Sequence, residues 1–323
     1  MPELPEVDHA RVLIQKNLVH KRVLSVDCAL DDNKVIRGCD PKDVNKELKG
    51  LQVRYVKRKG KYLYMKLDGG LDNHSTTTTT TTKYVLVHFG MTGSFVVKGI
   101  KPASYKSFTV DEDTWPPRFC KVRISFTDGT QLAFLDARRF GRFVVSQEDP
   151  EATPPISELG PDALLDLPDE KQLREMLLRR KRAKVKAVLL DQGFVSGIGN
   201  WVGDEVLYQS ALHPEQPCES LTEAQVSALH GAISSVLGVA TEVEAESSKF
   251  PPRWLFHYRW TGKKRARIEG VGEVKFLTVG GRTTAFVPAV QRKTSVRRPK
   301  EEVKVEEIKV EEGERKRKRR VKR

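Results

Sequence analysis

"LQVRYVKRKGKYLYMKL", Leu51–Leu67, decides how the first half of the chain folds. Apolar and polar residues alternate on both sides of Gly60, the pattern of two half-buried strands joined by a tight turn. The same period returns in "YVLVHFGMTGSFVV" (Tyr84–Val97), "CKVRISFTDGTQLAFL" (Cys120–Leu135) and "RFGRFVVS" (Arg139–Ser146), with Asp128-Gly129 as a turn signal. Such a succession predicts an antiparallel sandwich or barrel. Upstream the period is helical: Val7, Ala10, Ile14 and Leu18 form one stripe of a helix over Pro5–Leu18, and Pro5 suits its first turn. Ser75–Lys83, "STTTTTTTK", has nothing to pack and reads as a loop expansion.

From about Pro154 the spacing turns helical, over Ser157–Leu165, Glu170–Gln192, Asn200–Leu212 and Ser220–Val243, the last with Ser220 and Glu223 as a capping box. The turn "GFVSGIGN" (Gly193–Asn200) makes a helix-turn-helix-like junction. Lys249–Trp260 is aromatic and irregular. "EVKFLTVGGRTTAFV" (Glu273–Val287) predicts a β-hairpin around Gly280-Gly281, with Arg282 beside the turn. From Gln291 aromatics vanish, charges alternate, and the chain ends in "RKRKRRVKR", which predicts a disordered tail.

The expected fold class is α+β: an N-terminal antiparallel β-sandwich with an N-terminal helix over residues 1–150, a helical domain over 151–248, a hairpin finger over 249–290 and a basic tail over 291–323.

Lys and Arg number 57 against 43 Asp and Glu, a formal charge of +14. That balance favours a polyanionic partner. No apolar run approaches the roughly 20 residues that span a bilayer, and no cationic-then-apolar leader opens the chain, so nucleic acid is expected and a membrane is not. Cys28, Cys39, Cys120 and Cys218 form no C-x-x-C pair, which predicts neither a zinc site nor a disulfide framework.

The opening "MPELPEV" concentrates chemistry. Processing usually removes Met before a small residue such as proline, which would leave Pro2 with a free secondary amine. An α-amino group titrates about 2.5 units below a lysine and is far more nucleophilic at cellular pH. Its attack on a carbonyl-like carbon gives an iminium that is cationic without an added proton. Glu3 stands within reach as a general acid/base, and Glu6 lies in the first turn of the helix. Helix-start prolines with glutamates complementing the helix dipole are the structural alternative.

"MPELPEV" resembles the start of the formamidopyrimidine-DNA glycosylase and endonuclease VIII family, and five further blocks follow in family order as far as Pro288. "GKYLYMKL" looks like the strand bearing the catalytic lysine, here Lys61. "HFGMTGSF" carries Met91, which the resemblance assigns to the hole left by an extruded base. "DARRFGRF" is similar to the intercalation loop and supplies Arg138 and Phe140. "SGIGNWVGDEVLYQSALHP" resembles the helix-two-turn-helix centre, with Asn200 on a phosphate. "GGRTTAFVP" resembles the DNA-binding finger, with Arg282 at its tip. Lys186 looks like the lysine that reaches the damaged strand, with Lys184 close in register. Without the resemblance, Met91 and Phe140 read as core, Asn200 as a helix cap and Lys61 as a surface lysine beside Lys57, Arg58 and Lys59.

The finger lacks the cysteines of most bacterial members and resembles the zincless finger of plant and fungal ones. Val274, Phe276, Phe286 and Val287 are expected to hold it. "SSKFPPRWLFHYRWTGKK" does not match the loop that covers a flipped purine, which leaves 8-oxoguanine open as a substrate and favours formamidopyrimidines, hydantoins and abasic sites. The resemblance implies a bifunctional DNA glycosylase and abasic-site lyase of base excision repair. It is expected to act on damaged double-stranded DNA as a monomer without a cofactor, and the basic tail, which bacterial members lack, reads as a nuclear localisation signal or an extra DNA contact. Endonuclease VIII-like specificity for oxidised pyrimidines, and a damage-binding module that does not cut, are the alternatives.

Overall fold

A computed structural model describes residues 2–29, 32–69, 81–100, 114–260 and 266–293. Helix α1 (Leu4–Leu18) precedes strands β1 (Val23–Cys28) and β2 (Ile36–Arg37), the short helix α2 (Val44–Leu48), and β3 (Gln52–Lys59), β4 (Tyr62–Asp68), β5 (Thr82–His88), β6 (Ser94–Val97), β7 (Cys120–Phe126), β8 (Gln131–Leu135) and β9 (Arg142–Ser146). They form a five-stranded sheet, β2-β9-β5-β4-β3, and a four-stranded sheet, β1-β7-β8-β6. All pairings are antiparallel except the two-residue β2–β9 contact. The inward residues of both sheets, among them Val56, Leu63, Val87, Phe143, Ile124 and Phe134, share one core with Val7, Ala10, Ile14 and Leu18 of α1. Alternation therefore marked a true two-sheet sandwich.

Helices α3 (Glu170–Arg179), α4 (Val185–Leu190), α5 (Asn200–Gln209) and α6 (Glu223–Glu242) enclose a second core, completed by Phe250, Trp254 and Phe256 from the aromatic segment. Leu4 belongs to this core rather than to that of its own helix, so α1 joins the two. Short strands β10 (Arg267–Ile268) and β11 (Gly272–Glu273) lead into the hairpin of β12 (Lys275–Val279) and β13 (Arg282–Phe286). Gly280 and Gly281 both take positive φ, +58° and +71°, as a two-residue hairpin turn of the primed type requires. Val274, Ala285 and Val287 are buried beneath it with Phe276 packed alongside.

The structure departs from the sequence reading in several places. Ser157–Leu165 holds only a single 3-10 turn, Ile156–Glu158, because Gly160-Pro161 interrupts it. The predicted helix over Glu170–Gln192 is two helices, α3 and α4. Between them the chain turns so that Lys184 bridges to Pro217. The cap of α6 is Thr222 with Gln225, not Ser220 with Glu223: the Gln225 N–H donates to Thr222 Oγ1 and the Thr222 N–H to Gln225 Oε1, while the Ser220 hydroxyl donates to the Pro217 carbonyl. Thr82 and Lys83 open β5 rather than closing a loop; residues 75–80 lie outside the described residues. The predicted tail begins too early, because Gln291 is buried and its amide donates to the Leu212 carbonyl. Residues 294–323 lie outside the described residues. β1, β2 and α2 escaped the reading altogether.

Candidate active site

Glu3 organises the site. It is 1% exposed, and its two carboxylate oxygens accept the N–H groups of Trp201 (2.8 Å) and Val202 (3.1 Å) in the first turn of α5. The positive end of the α5 dipole and two orphan amides thus meet one anion. The Gly-rich turn makes this possible. A Cβ on Gly199 would overlap the Glu3 carboxyl group, and one on Gly197, whose φ is +103°, would overlap Leu4. Asn200 is the first residue inside the helix, and Gly199 is the cap.

Pro2 is buried beside this contact. The Glu3 N–H donates to Glu6 Oε2 at 2.9 Å. Burial, then the charge of Glu3, raise the Glu6 carboxyl to about 7. Lys61 lies in the β3–β4 turn, one residue before the strand to which the reading assigned it. Its ammonium donates to the Ile198 carbonyl of the Gly-rich turn at 2.9 Å. Burial lowers its pKa, Glu3 and Glu6 oppose that, and Arg282 and Lys186 add to it. Four segments, the amino terminus, the β3–β4 turn, the Gly-rich turn and the finger, therefore share one electrostatic site.

Met91, Arg138 and Phe140 sit at one end of the four-stranded sheet. Phe140 is 50% exposed, and the Arg138 guanidinium lies 5.1 Å from its ring centroid. The buried Asp136 fixes their loop: it accepts from the Thr92 hydroxyl (2.7 Å), the Gly141 N–H (2.7 Å) and the Arg138 N–H (3.2 Å). Gly90 carries a φ of +57° and leaves no room for a Cβ against the Phe140 backbone, which locks the Met91 turn to the Phe140 loop. An exposed ring over a rigid base suits a wedge between bases. Phe143, from the same run, is core.

Asn200 Nδ2 donates to the Thr283 carbonyl of the hairpin at 2.8 Å, leaving its second amide hydrogen for another acceptor. Arg282 opens β13 and is exposed. Lys186 is the correction among the expected DNA contacts. It is fully buried, with its ammonium enclosed by Asp204 Oδ1 (2.5 Å) and the Asn200 carbonyl (2.7 Å), because α4 turns it inward under α5. Lys184 is exposed and pairs with Glu215.

Three residues went unnoticed in the sequence, and a fourth, Arg58, was placed on the wrong side of the surface. His88, at the end of β5, accepts the Gly90 N–H on Nδ1 at 3.2 Å and packs on the Tyr62 ring. Burial first, then Lys61 and Arg142, push its pKa down to about 4, so the neutral ring presents Nε2–H as a donor. Arg58, read as a surface cation, is buried between Asp8 and Asp162. Asp136 and Asp204 are buried acids. Their signal was an acid following apolar residues, in "AFLD" and "WVGD". The four cysteines are free thiols, with burial raising Cys28 to about 12 and Cys218 to about 11. Among the described residues, no group of His, Cys, Asp and Glu could hold a metal.

Comparisons with known proteins place this geometry. The formamidopyrimidine-DNA glycosylase N-terminal domain matches residues 1–143, and the formamidopyrimidine-DNA glycosylase H2TH domain matches residues 159–251. A formamidopyrimidine-DNA glycosylase of Arabidopsis thaliana is 42% identical over 293 residues, 90% of this chain and 71% of that protein. The solved complex of Lactococcus lactis Fpg with DNA containing an abasic site is similar, with a TM-score of 0.70 at 26% identity over 90% of this chain and all of that one. So is MutM in complex with DNA containing carbocyclic 8-oxo-G, with a TM-score of 0.71 at 27% identity over the same shares.

Proposed function

Because the chain belongs to the formamidopyrimidine-DNA glycosylase family, we propose that Pro2, Glu3, Glu6 and Lys61 form the centre that removes a damaged base from double-stranded DNA and cuts the strand. The chain is a DNA glycosylase of base excision repair.

In this reading the amine of Pro2, freed by loss of Met1, attacks C1′ of the damaged nucleotide, and the base leaves. Glu3, an anion at rest, takes up the proton that the amine loses on attack and delivers it to the sugar ring oxygen. The C1′–O bond opens and the amine lone pair forms the iminium. The Glu6 carboxyl, raised to about 7 and accepting the Glu3 N–H, keeps a proton close to this site at neutral pH. The iminium makes the C2′ proton acidic. Its loss expels the 3′ phosphate, a second elimination expels the 5′ phosphate, and water releases the proline. The anion at Glu3 stabilises the cationic intermediate. Lys61, Asn200 and Arg282 hold phosphates around the lesion, and Arg138, Phe140 and Met91 fill the vacated stack, whose opening costs a few kcal/mol. The protein acts as a monomer, and the tail "RKRKRRVKR" directs it to the nucleus.

The observation that carries this reading is the pairing of Glu3, next to the candidate nucleophile, with the first turn of α5, whose Asn200 also holds the finger and whose preceding Gly-rich turn holds Lys61. The test is a panel of duplexes carrying one formamidopyrimidine, hydantoin, oxidised pyrimidine, 8-oxoguanine or abasic site. Base release and double-ended strand cutting at formamidopyrimidines are expected. Tight binding without cutting would instead favour the damage-binding module, and preference for oxidised pyrimidines the endonuclease VIII-like specificity.

A further inference from the structure

We propose that Asp204 is the positioning residue that sets the register of the β12–β13 hairpin over the active site. It lies fully buried in α5, one turn beyond Asn200. Its Oδ1 accepts from Lys186 Nζ of α4 at 2.5 Å. Its Oδ2 accepts from Arg259 Nη2 at 2.7 Å and Nε at 3.1 Å, and from the Ala285 N–H of β13 at 3.1 Å. One carboxylate thus ties together α4, the aromatic segment and the finger.

The geometry explains how register follows. In a two-stranded ribbon every second N–H points away from the partner strand and needs another acceptor. Asp204 supplies it at Ala285, while Asn200 donates to the Thr283 carbonyl. Four residues on a helix rise about 6 Å. Two residues on a strand rise about 6.6 Å. The Asn200/Asp204 pair therefore matches the Thr283/Ala285 pair, and a slip of one residue along β13 would break both contacts. Gly203 keeps the space clear, since a Cβ there would stand 2.9 Å from Lys186 Nζ. Arg282, one residue before Thr283, is placed by this grip.

The proposal rests on the reading that Arg282 and Asn200 hold DNA phosphates, so its test has one arm that needs no DNA. Asp204→Asn keeps the shape and an acceptor for Ala285 but removes the charge. Amide hydrogen exchange over residues 275–286 should accelerate by about tenfold or more while that of α6 stays unchanged. In single-turnover cutting of an abasic duplex, the half-saturating DNA concentration should rise by about tenfold or more. The maximal rate should stay within about threefold. Arg259→Met should move both readouts the same way and Arg259→Lys should restore them. If Asp204→Asn does not fold, Arg259→Met decides by the same two measurements. Unchanged exchange in a folded variant, or a fall in maximal rate at unchanged half-saturation, overturns the proposal. Failure of the wild-type protein to cut DNA at all would sink the functional reading and leave the exchange arm standing.

Discussion

Glu3 Oε1 accepts the Trp201 N–H at 2.8 Å, so a residue in the first turn of the protein completes the start of a helix 198 positions away. The proposed catalytic acid and the packing between the two cores share this one contact. Gly199→Ala should therefore damage both, because the added methyl occupies the space of the Glu3 carboxyl group. Thermal melting should show a loss of about 1–3 kcal/mol. Strand cutting should fall by about a hundredfold as the acid is displaced. Wild-type activity in a folded Gly199→Ala would separate Glu3 from the reaction.

Arg58 is the second tie between the amino-terminal and helical halves. Its guanidinium reaches Asp8 Oδ1 at 3.2 Å and Asp162 Oδ1 at 3.0 Å, and Asp162 also accepts the Gly60 N–H at 2.6 Å. Removing one partner of such a buried set leaves uncompensated charge. Arg58→Met is expected to cost about 3–5 kcal/mol in urea unfolding. A loss below 1 kcal/mol would mean that water reaches the carboxylates.

Glu205 sets a pH dependence of stability. Burial raises its carboxyl from 4.5 to about 7, against the N–H groups of Phe256 and Gln209 that favour the anion. Between those two values the folded protein keeps a proton that the unfolded chain has lost, so stability falls as pH rises through that window and stays lost above it. Glu6 adds a slope of the same sign. Glu205→Gln should match the wild type near pH 4.5 and exceed it by about 3 kcal/mol at pH 8. Melting curves that run parallel from pH 4.5 to 8 would contradict this.

A wedge role for Phe140 and Met91 predicts a split between substrates. Phe140→Ala and Met91→Ala should slow release of a damaged base by about tenfold or more. Cutting at a pre-formed abasic site should change less, because no base has to leave the stack. Equal losses on both substrates would mean that these residues hold the fold rather than the gap.

Much of this was legible in the sequence, for definite reasons. The alternation in Leu51–Leu67 and Cys120–Leu135 survives because each strand has one face on a single shared core. Gly280-Gly281 announces its turn because only glycine takes both positive φ angles without strain. Pro2, Glu3 and Glu6 stand out because they fall within five consecutive positions. What was missed is long-range. Arg58 and Lys186 sit in basic runs, and nothing local says that Asp162 and Asp204 enclose them. The break between α3 and α4 follows from the Lys184–Pro217 bridge rather than from propensity. Thr222 outcompetes Ser220 as a cap because the Ser220 hydroxyl is taken by Pro217.

In the proposed mechanism the amine of Pro2 forms the covalent intermediate. This is tested most directly by borohydride trapping of the untagged protein on a duplex with one abasic site, followed by mass mapping of the adduct. The account predicts an adduct on residue 2 that disappears in Pro2→Gly and whenever Met1 is retained. An adduct on Lys61 or another lysine, or tight binding with no adduct, would contradict it.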